Sequence, residues 1–265
     1  MMTPWTVNRI KTCKGREKIV SLTAYDYATA RMLDESGIHL ILIGDSLGMT
    51  MLGYENTLPV TVEDMLHHSA AVVRGVKHAL VISDMPFLSY QVSHEEALRN
   101  AGRLVQKAGV GGVKIEGGAF RAPLVTHLVR NGIPVLGHIG MTPQSVKAMG
   151  GFKVQGRRPK EARQLIADAR ALEKAGVFAI VLECIPAPLA KLITRAVKVP
   201  TIGIGAGPYC DGQILVTHDI LGLYTGTSPK FAKRYADLGR KMRSAFSAYR
   251  KDVSEGTFPT PDYSY

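Results

Sequence analysis

A short unit recurs along this chain and leaves few folds open to it: an amphipathic stretch, a glycine, then a brief β-rich apolar run that ends in polar residues. It appears as Ser36-Gly37-Ile38-His39-Leu40-Ile41-Leu42-Ile43, as Ala108-Gly109 leading to Gly112-Val113-Lys114-Ile115, as Asn131-Gly132-Ile133-Pro134-Val135-Leu136, and as Ala175-Gly176-Val177-Phe178-Ala179-Ile180-Val181-Leu182. The glycine before each run suits the left-handed residue that closes a helix. Further runs at Ile19 to Ala24, Ala79 to Ser83, Thr201 to Ile204 and Gln213 to Thr217 bring the strand candidates to eight. Between them, Val62, Met65, Leu66, Ser69, Ala70 and Val73 make one helical stripe, and Ala97, Leu98, Ala101, Leu104, Val105 and Ala108 make another. Thr61 is placed to cap the first, and Ser93 with Glu96 forms a capping box for the second. Strands alternating with helices require a parallel sheet with right-handed crossovers, and eight such units close more naturally into a (β/α)8 TIM barrel than into a doubly wound sheet.

A length of 265 residues suits one barrel domain over 1–265, with a basic helical tail expected from about residue 229. The irregular stretches are Gly44 to Pro59, Gly140 to Pro159 and the tail after Tyr224. No apolar run approaches the roughly 18 to 20 residues that span a bilayer, and the opening Met1-Met2-Thr3-Pro4-Trp5 lacks a secretory signal's apolar stretch. No membrane partner and a cytoplasmic location are therefore expected. Cys13, Cys184 and Cys210 are odd in number and far apart, which argues against a disulfide framework or a thiolate zinc site and fits a reducing compartment. The formal charge of +11 gathers at the ends: Arg9, Lys11, Lys14, Arg16 and Lys18, then Lys230, Lys233, Arg234, Arg240, Lys241, Arg243, Arg250 and Lys251. These segments lack interleaved aromatics or a binding motif, so they are expected to be solvated faces and not a nucleic-acid site.

In a barrel every strand ends at the same pole, so residues just past the apolar runs converge however far apart they lie in sequence. Here those residues are acidic: Asp45 after the second run, Asp84 after the third, Glu116 in the fourth and Glu183 after the sixth. Each alone reads equally as a turn former or cap. Together, with only Lys114 to offset them, they would repel unless a cation sat among them, and an all-oxygen donor set favours a hard ion such as Mg2+. Lys114 and Glu116, two apart on a strand, point to the same side. Glu183 lies among Val181, Leu182, Cys184, Ile185 and Pro186, a setting that suits a base taking a proton from carbon. His138 also stands at a strand end, where it could polarise a substrate oxygen or simply be a satisfied core histidine. His67 and His68 are adjacent on a predicted helix and cannot share a face as ligands do. The run Gly203-Ile204-Gly205-Ala206-Gly207 serves equally as an anion cradle or as a tight turn.

Several segments, in order, resemble the ketopantoate hydroxymethyltransferase family: Thr23-Ala24-Tyr25-Asp26, Gly44-Asp45-Ser46-Leu47-Gly48, Asp84-Met85-Pro86-Phe87, Val113-Lys114-Ile115-Glu116-Gly117-Gly118 and Gly137-His138-Ile139-Gly140-Met141-Thr142-Pro143-Gln144. Gly150-Gly151-Phe152-Lys153-Val154-Gln155-Gly156, Leu182-Glu183-Cys184-Ile185-Pro186 and Ile202-Gly203-Ile204-Gly205-Ala206-Gly207 continue the series, so the resemblance runs from about Ile19 to Arg234. It implies transfer of a one-carbon unit from 5,10-methylenetetrahydrofolate to 3-methyl-2-oxobutanoate, giving ketopantoate for pantothenate biosynthesis through a Mg2+-stabilised enolate. Carried over by motif, Asp45, Asp84 and Glu116 resemble the Mg2+ site, with Glu116 acting through water. Asp45, Ser46, Asp84 and Lys114 resemble the keto-acid contacts and Glu183 the proton acceptor, while His138, from its strand-end position alone, is a candidate supporting group. The resemblance also implies a homo-oligomer, commonly two stacked pentamers.

Two other readings bear comparison. A lyase or mutase of the isocitrate lyase and phosphoenolpyruvate mutase type would share a barrel and metal-bound enolate chemistry, but such enzymes characteristically carry a Lys-Lys-Cys-Gly-His loop. Here Gly137-His138 follows Pro134-Val135-Leu136 and no cysteine precedes it. A nucleic-acid-binding barrel is suggested only by the basic termini, and acids at the barrel mouth would repel phosphates there.

Overall fold

The computed structural model describes residues 3–223 and 229–265. Residues 1–2, at the start considered above for a secretory signal, and 224–228, at the head of the expected tail, lie outside the described residues. The chain divides into two compact units, Met1–Val216 and Thr217–Tyr265.

The first unit is a closed parallel barrel in the order β1-β2-β3-β4-β5-β6-β7-β8. The strands are β1 (Ile19–Thr23), β2 (Leu40–Ile43), β3 (Leu80–Asp84), β4 (Val113–Glu116), β5 (Val135–Gly140), β6 (Ala179–Glu183), β7 (Thr201–Ile204) and β8 (Gly212–Leu215). Each of the eight candidate runs overlaps a strand, and β5 continues from Leu136 to Gly140, so that His138 lies within it. The last one shifts: β8 begins one residue earlier than the run from Gln213 and stops at Leu215, because Thr217 opens a helix instead of closing a strand. The unit's helices are α1 (Val7–Thr12), α2 (Tyr27–Glu35), α3 (Leu47–Thr50), α4 (Val62–Gly75), α5 (His94–Arg103), α6 (Ala122–Arg130), α7 (Pro159–Ala175) and α8 (Ala187–Ala196).

Local signals act where expected. Thr61 caps α4 in a full box with Asp64; at the head of α5 the Ser93 side chain accepts from the Glu96 N–H, one half of the expected box. Gly37, Gly109, Gly132 and Gly176 sit at φ of 78°, 79°, 82° and 102°, turning each chain segment from helix toward strand. One helical stripe departs from the expectation: beyond α5 the turn Leu104–Ala108 widens into a π-helix before Gly109 closes it.

Strand periodicity divides the core into two layers. Leu40, Leu42, Leu80, Ile82, Leu136, Ala179, Val181, Ile202 and Ile214 pack together inside the barrel, where Ile10 and Cys13 of the α1 segment join them. Their neighbours Ile41, Ile43, Val81, Val113, Ile115, Val135, Ile139, Ile180 and Leu182 face the helices. Inward positions alternate along each strand. Continuing that alternation puts Asp84, Lys114, Glu116, His138 and Glu183 on the barrel-lining side, above the apolar filling.

Part of the N-terminal positive charge is engaged within the fold. Lys14 Nζ lies 2.8 Å from Asp211 Oδ2 and Lys18 donates to the Cys210 carbonyl. In the second unit, α9 (Thr217–Leu221) is followed by α10 (Leu238–Ser254), none of whose residues is buried. Arg240, Lys241, Arg243, Arg250 and Lys251 lie on α10, whereas Lys230, Lys233 and Arg234 precede it. Among the described residues no helix is long and apolar enough to cross a membrane.

Candidate active site

The polar mouth of the barrel is nearly sealed. Asp45, Asp84, Lys114, Glu116 and His138 are each 5% exposed or less. Glu183 is the most open of the acids, its side chain 16% exposed. At its centre the Lys114 ammonium lies 3.0 Å from Asp84 Oδ1, 3.0 Å from His138 Nδ1 and 3.7 Å from Glu116 Oε1. Burial works against that charge, but Asp84, Glu116 and Asp45 outweigh burial and hold Lys114 above its ordinary value. It is therefore a fixed cation.

His138 bridges this cation to the proposed base. Burial, reinforced by Lys114, pushes its imidazole below the usual value, so the neutral ring is favoured. With an ammonium donating at Nδ1, the ring proton belongs on Nε2, which lies 3.1 Å from Glu183 Oε2. Both nitrogens thus lie near protein groups, Nδ1 bonded to Lys114 and Nε2 facing the Glu183 carboxylate without hydrogen-bond alignment. The setting of Glu183 also differs from its sequence neighbours: Leu182 turns out toward the helices, and the carboxylate meets His138.

The acids on the other side hold one another at a distance set by backbone and amide donors. Asp84 Oδ2 accepts the Asp45 N–H at 3.0 Å. Burial, with Asp84 nearby, pushes the Asp45 carboxyl up to about 7 against the pull of Lys114 and Gln144. Burial likewise raises Glu116 well above a free glutamate, with Lys114 opposing. Ser46 Oγ lies 2.8 Å from the Tyr25 hydroxyl, whose own burial lifts it to about 12. Gly44 leaves room for this arrangement, since a Cβ there would come within 2.7 Å of Ser46 Oγ.

Gln144 had no assigned role in the sequence beyond its place in a motif, yet it ties the site together. Its Nε2 donates to Asp45 Oδ2 and to the Met85 carbonyl, each at 2.9 Å, and its Oε1 accepts from the Tyr90 hydroxyl at 2.6 Å. Its backbone N–H donates to Glu116 Oε2 at 3.1 Å. The residue sits in the 3-10 turn Pro143–Ser145 and is buried. A glutamine just past a strand end was the available signal, but its partners come from three other strands' loops.

Two carboxylate oxygens, Asp84 Oδ1 and Glu116 Oε1, are buried with no hydrogen bond; their approaches to Lys114 are charge contacts without hydrogen-bond geometry. Among the described residues no three His, Cys, Asp or Glu side chains stand close enough to cage a metal unaided. Magnesium does not need such a cage: it binds through one or two carboxylates and keeps several waters. Mutually repelling acids with unsatisfied oxygens therefore fit a hard divalent cation.

Strain sits beside Glu183. Cys184 adopts φ 46°, held by its N–H to the Ile204 carbonyl and its carbonyl to the Gln155 N–H, both 2.9 Å. Gly140, at φ 99°, lies against the Glu183 carbonyl, where any Cβ would collide. His68 Nδ1 lies 2.6 Å from the Tyr25 carbonyl, and in the Gly203 to Gly207 run Gly203 leaves room for Cys210 and Gln213. Adjoining the cluster at Glu116 and Gln144 is a cavity of about 500 Å3, with Phe87, Tyr90, Phe120 and Arg121 in its lining.

The ketopantoate hydroxymethyltransferase family profile matches residues 4–261. The 3-methyl-2-oxobutanoate hydroxymethyltransferase of Clostridium novyi (strain NT) is 56% identical over 261 residues, which cover 98% of this chain and 95% of that one. Its counterpart from Syntrophus aciditrophicus (strain SB) is 56% identical over 252 residues, 95% of this chain and 93% of that one. Among solved structures, 2,3-dimethylmalate lyase, a PEP mutase/isocitrate lyase superfamily member, superposes with a TM-score of 0.63 at 17% identity, covering 99% of this chain and 93% of that one. Oxaloacetate acetylhydrolase in complex with 3,3-difluorooxalacetate gives 0.60 at 14% identity, covering 98% and 90%. So low an identity speaks for a shared barrel and not for shared chemistry. A profile match over almost the whole length, joined to relatives more than half identical across nearly all of both chains, means that this chain belongs to the ketopantoate hydroxymethyltransferase family.

Proposed function

We propose that this protein transfers a hydroxymethyl group from 5,10-methylenetetrahydrofolate to 3-methyl-2-oxobutanoate, forming ketopantoate for pantothenate biosynthesis. The observation that carries this reading is the buried line Lys114, His138, Glu183, in which a fixed cation and a neutral imidazole aim a carboxylate at the barrel mouth. Glu183 takes the C3 proton of the keto acid. The neutral His138 ring, with Nε2 3.1 Å from Glu183 Oε2, stabilises that carboxylate's charge before transfer. Lys114 faces the anionic substrate, and Ser46, steadied by Tyr25, contributes a hydroxyl to it. The C3 carbon forms a bond to the carrier's methylene carbon as that carbon's bond to one carrier nitrogen breaks, and this nitrogen takes the proton held by Glu183; water then displaces the second carrier nitrogen, supplying the hydroxyl to carbon and a proton to that nitrogen. Mg2+ held by Asp45 and Asp84, with Glu116 reaching it through water, would supply electrostatic stabilisation for the negative charge that develops on the keto oxygen.

The test is exchange of the C3 proton in D2O with Mg2+ and without carrier, followed by NMR. Glu183→Gln is expected to abolish exchange while keto-acid binding persists. Exchange at the wild-type rate in that variant would remove Glu183 as the base.

A cytoplasmic homo-oligomer completes the proposal, with the decamer resting on family resemblance. Its support is the outer stripe of α10, where Met242, Phe246, Tyr249 and Val253 are 45%, 62%, 62% and 49% exposed. An apolar row of that length on a helix suits burial against a second copy. Three free cysteines suit a reducing compartment.

A further inference from the structure

The cavity of about 500 Å3 beside the cluster has no part in the steps above. That volume lies within the roughly 300–1,000 Å3 of pockets that hold drug-sized ligands, far more than a small branched keto acid needs. Its wall shared with the reaction centre is Glu116 and Gln144, and three aromatic rings, Phe87, Tyr90 and Phe120, stand among lining residues that are otherwise mostly polar. Such a wall suits a flat ring system.

Arg121 gives the cavity its selectivity. Its guanidinium carbon lies 5.1 Å from the centroid of Tyr90 and 5.0 Å from that of Phe120, so the rings hold it in place without cancelling its charge. Its Nε is buried with no hydrogen-bond partner, and it takes part in none of the ion pairs among the described residues. Asp168 and Glu161 also line the cavity but neither comes within ion-pair distance of Arg121, and a positioned guanidinium without a paired carboxylate matches one on a ligand. Gln144 spans the two compartments, accepting from Tyr90 on the cavity side and donating to Asp45 on the other. A ligand here therefore lies next to the keto acid's site.

Building on the transfer reaction proposed above, we infer that this cavity holds the one-carbon carrier, with its ring system along the aromatic wall and a carboxylate of its glutamate tail paired to Arg121. The experiment uses the full chain, as wild type and Arg121→Gln. Each is titrated at equilibrium with tetrahydrofolate and with 6-methyltetrahydropterin, which keeps the pterin ring and lacks every carboxylate. Carrier-free C3 exchange is measured alongside. Arg121→Gln is expected to weaken tetrahydrofolate about tenfold, equivalent to about 1.4 kcal/mol, with 6-methyltetrahydropterin affinity and the exchange rate unchanged. Arg121→Lys guards against a folding defect: it keeps the charge without the planar fork and should fall between the two.

Equal weakening of both ligands, or of neither, overturns the assignment. So does loss of exchange in both variants, which would put Arg121 on the keto acid. Wild-type protein that binds tetrahydrofolate in an Arg121-dependent way yet catalyses no exchange would sink the transfer reaction and leave the carrier cavity standing. Exchange without Arg121-dependent carrier binding would do the reverse.

Discussion

Replacing Gln144 by leucine tests whether the barrel mouth is organised by one amide. Leucine keeps the buried volume and leaves the backbone donor to Glu116 in place. It deletes the donors to Asp45 Oδ2 and the Met85 carbonyl and the acceptor for the Tyr90 hydroxyl. A hydrogen bond to a charged group contributes about 1.5–3 kcal/mol, and each buried neutral partner left unmade costs about 1–3 kcal/mol. The three sites are neighbours, so these costs overlap, and the added apolar burial offsets part of them. The net expectation is a loss of about 3 kcal/mol, read from the urea unfolding midpoint at fixed protein concentration. Tyr90→Phe alone should cost about 1 kcal/mol, and the double variant no more than Gln144→Leu alone, a coupling of about 1 kcal/mol. In function, the freed Asp45 should weaken apparent Mg2+ and keto-acid affinity, slowing exchange at low Mg2+ and recovering when both are saturating. Strict additivity of the two substitutions, or wild-type exchange at sub-saturating Mg2+, would refute the role given to Gln144.

Three further outcomes are expected. Mg2+ at 100 times its dissociation constant should raise stability by about 2.7 kcal/mol, seen as a higher melting temperature, and Asp84→Asn should lose most of that gain. Cys184→Gly removes the Cβ from a left-handed backbone and should leave the unfolding midpoint level or raised, whereas the β-branched Cys184→Val should lower stability by about 1–3 kcal/mol and slow exchange by displacing Glu183. Phe246→Glu on α10 should lower the particle mass measured by light scattering while the circular dichroism of the barrel is retained; an unchanged mass would remove that stripe as the contact between copies.

The barrel was legible because its signals are local and repeated: each glycine after a helix, each short apolar run, each cap. The acids were legible for a related reason, since strand ends converge at one pole whatever loops intervene. Lys114 and Glu116 share a side by strand period alone, and Asp84 and Glu183 inherit theirs from Ile82 and Val181. His138 could have been placed by the same count from Leu136, but its role depends on what stands at each ring nitrogen, and those partners come from β4 and β6. Gln144, Tyr90 and Arg121 were not legible because no period governs them. Gln144 and Asp45 lie 99 residues apart and meet only because the Pro143–Ser145 turn folds over the mouth.

The distant structural relatives sharpen where the chemistry resides. Two proteins at 14% and 17% identity share the barrel, so its closure depends on interchangeable apolar layers and glycine-closed helices. The polar layer above is not interchangeable in that way. Lys114 is buried at 5% exposure and depends on the acids around it; those acids, in turn, stay tolerable only with Lys114 or a metal cation among them. Removing Lys114 would strand several buried carboxyls, and removing the acids would strand a buried ammonium. Such a set must change together or not at all. The cluster, and not the barrel that presents it, is therefore where the proposed hydroxymethyl transfer is seated.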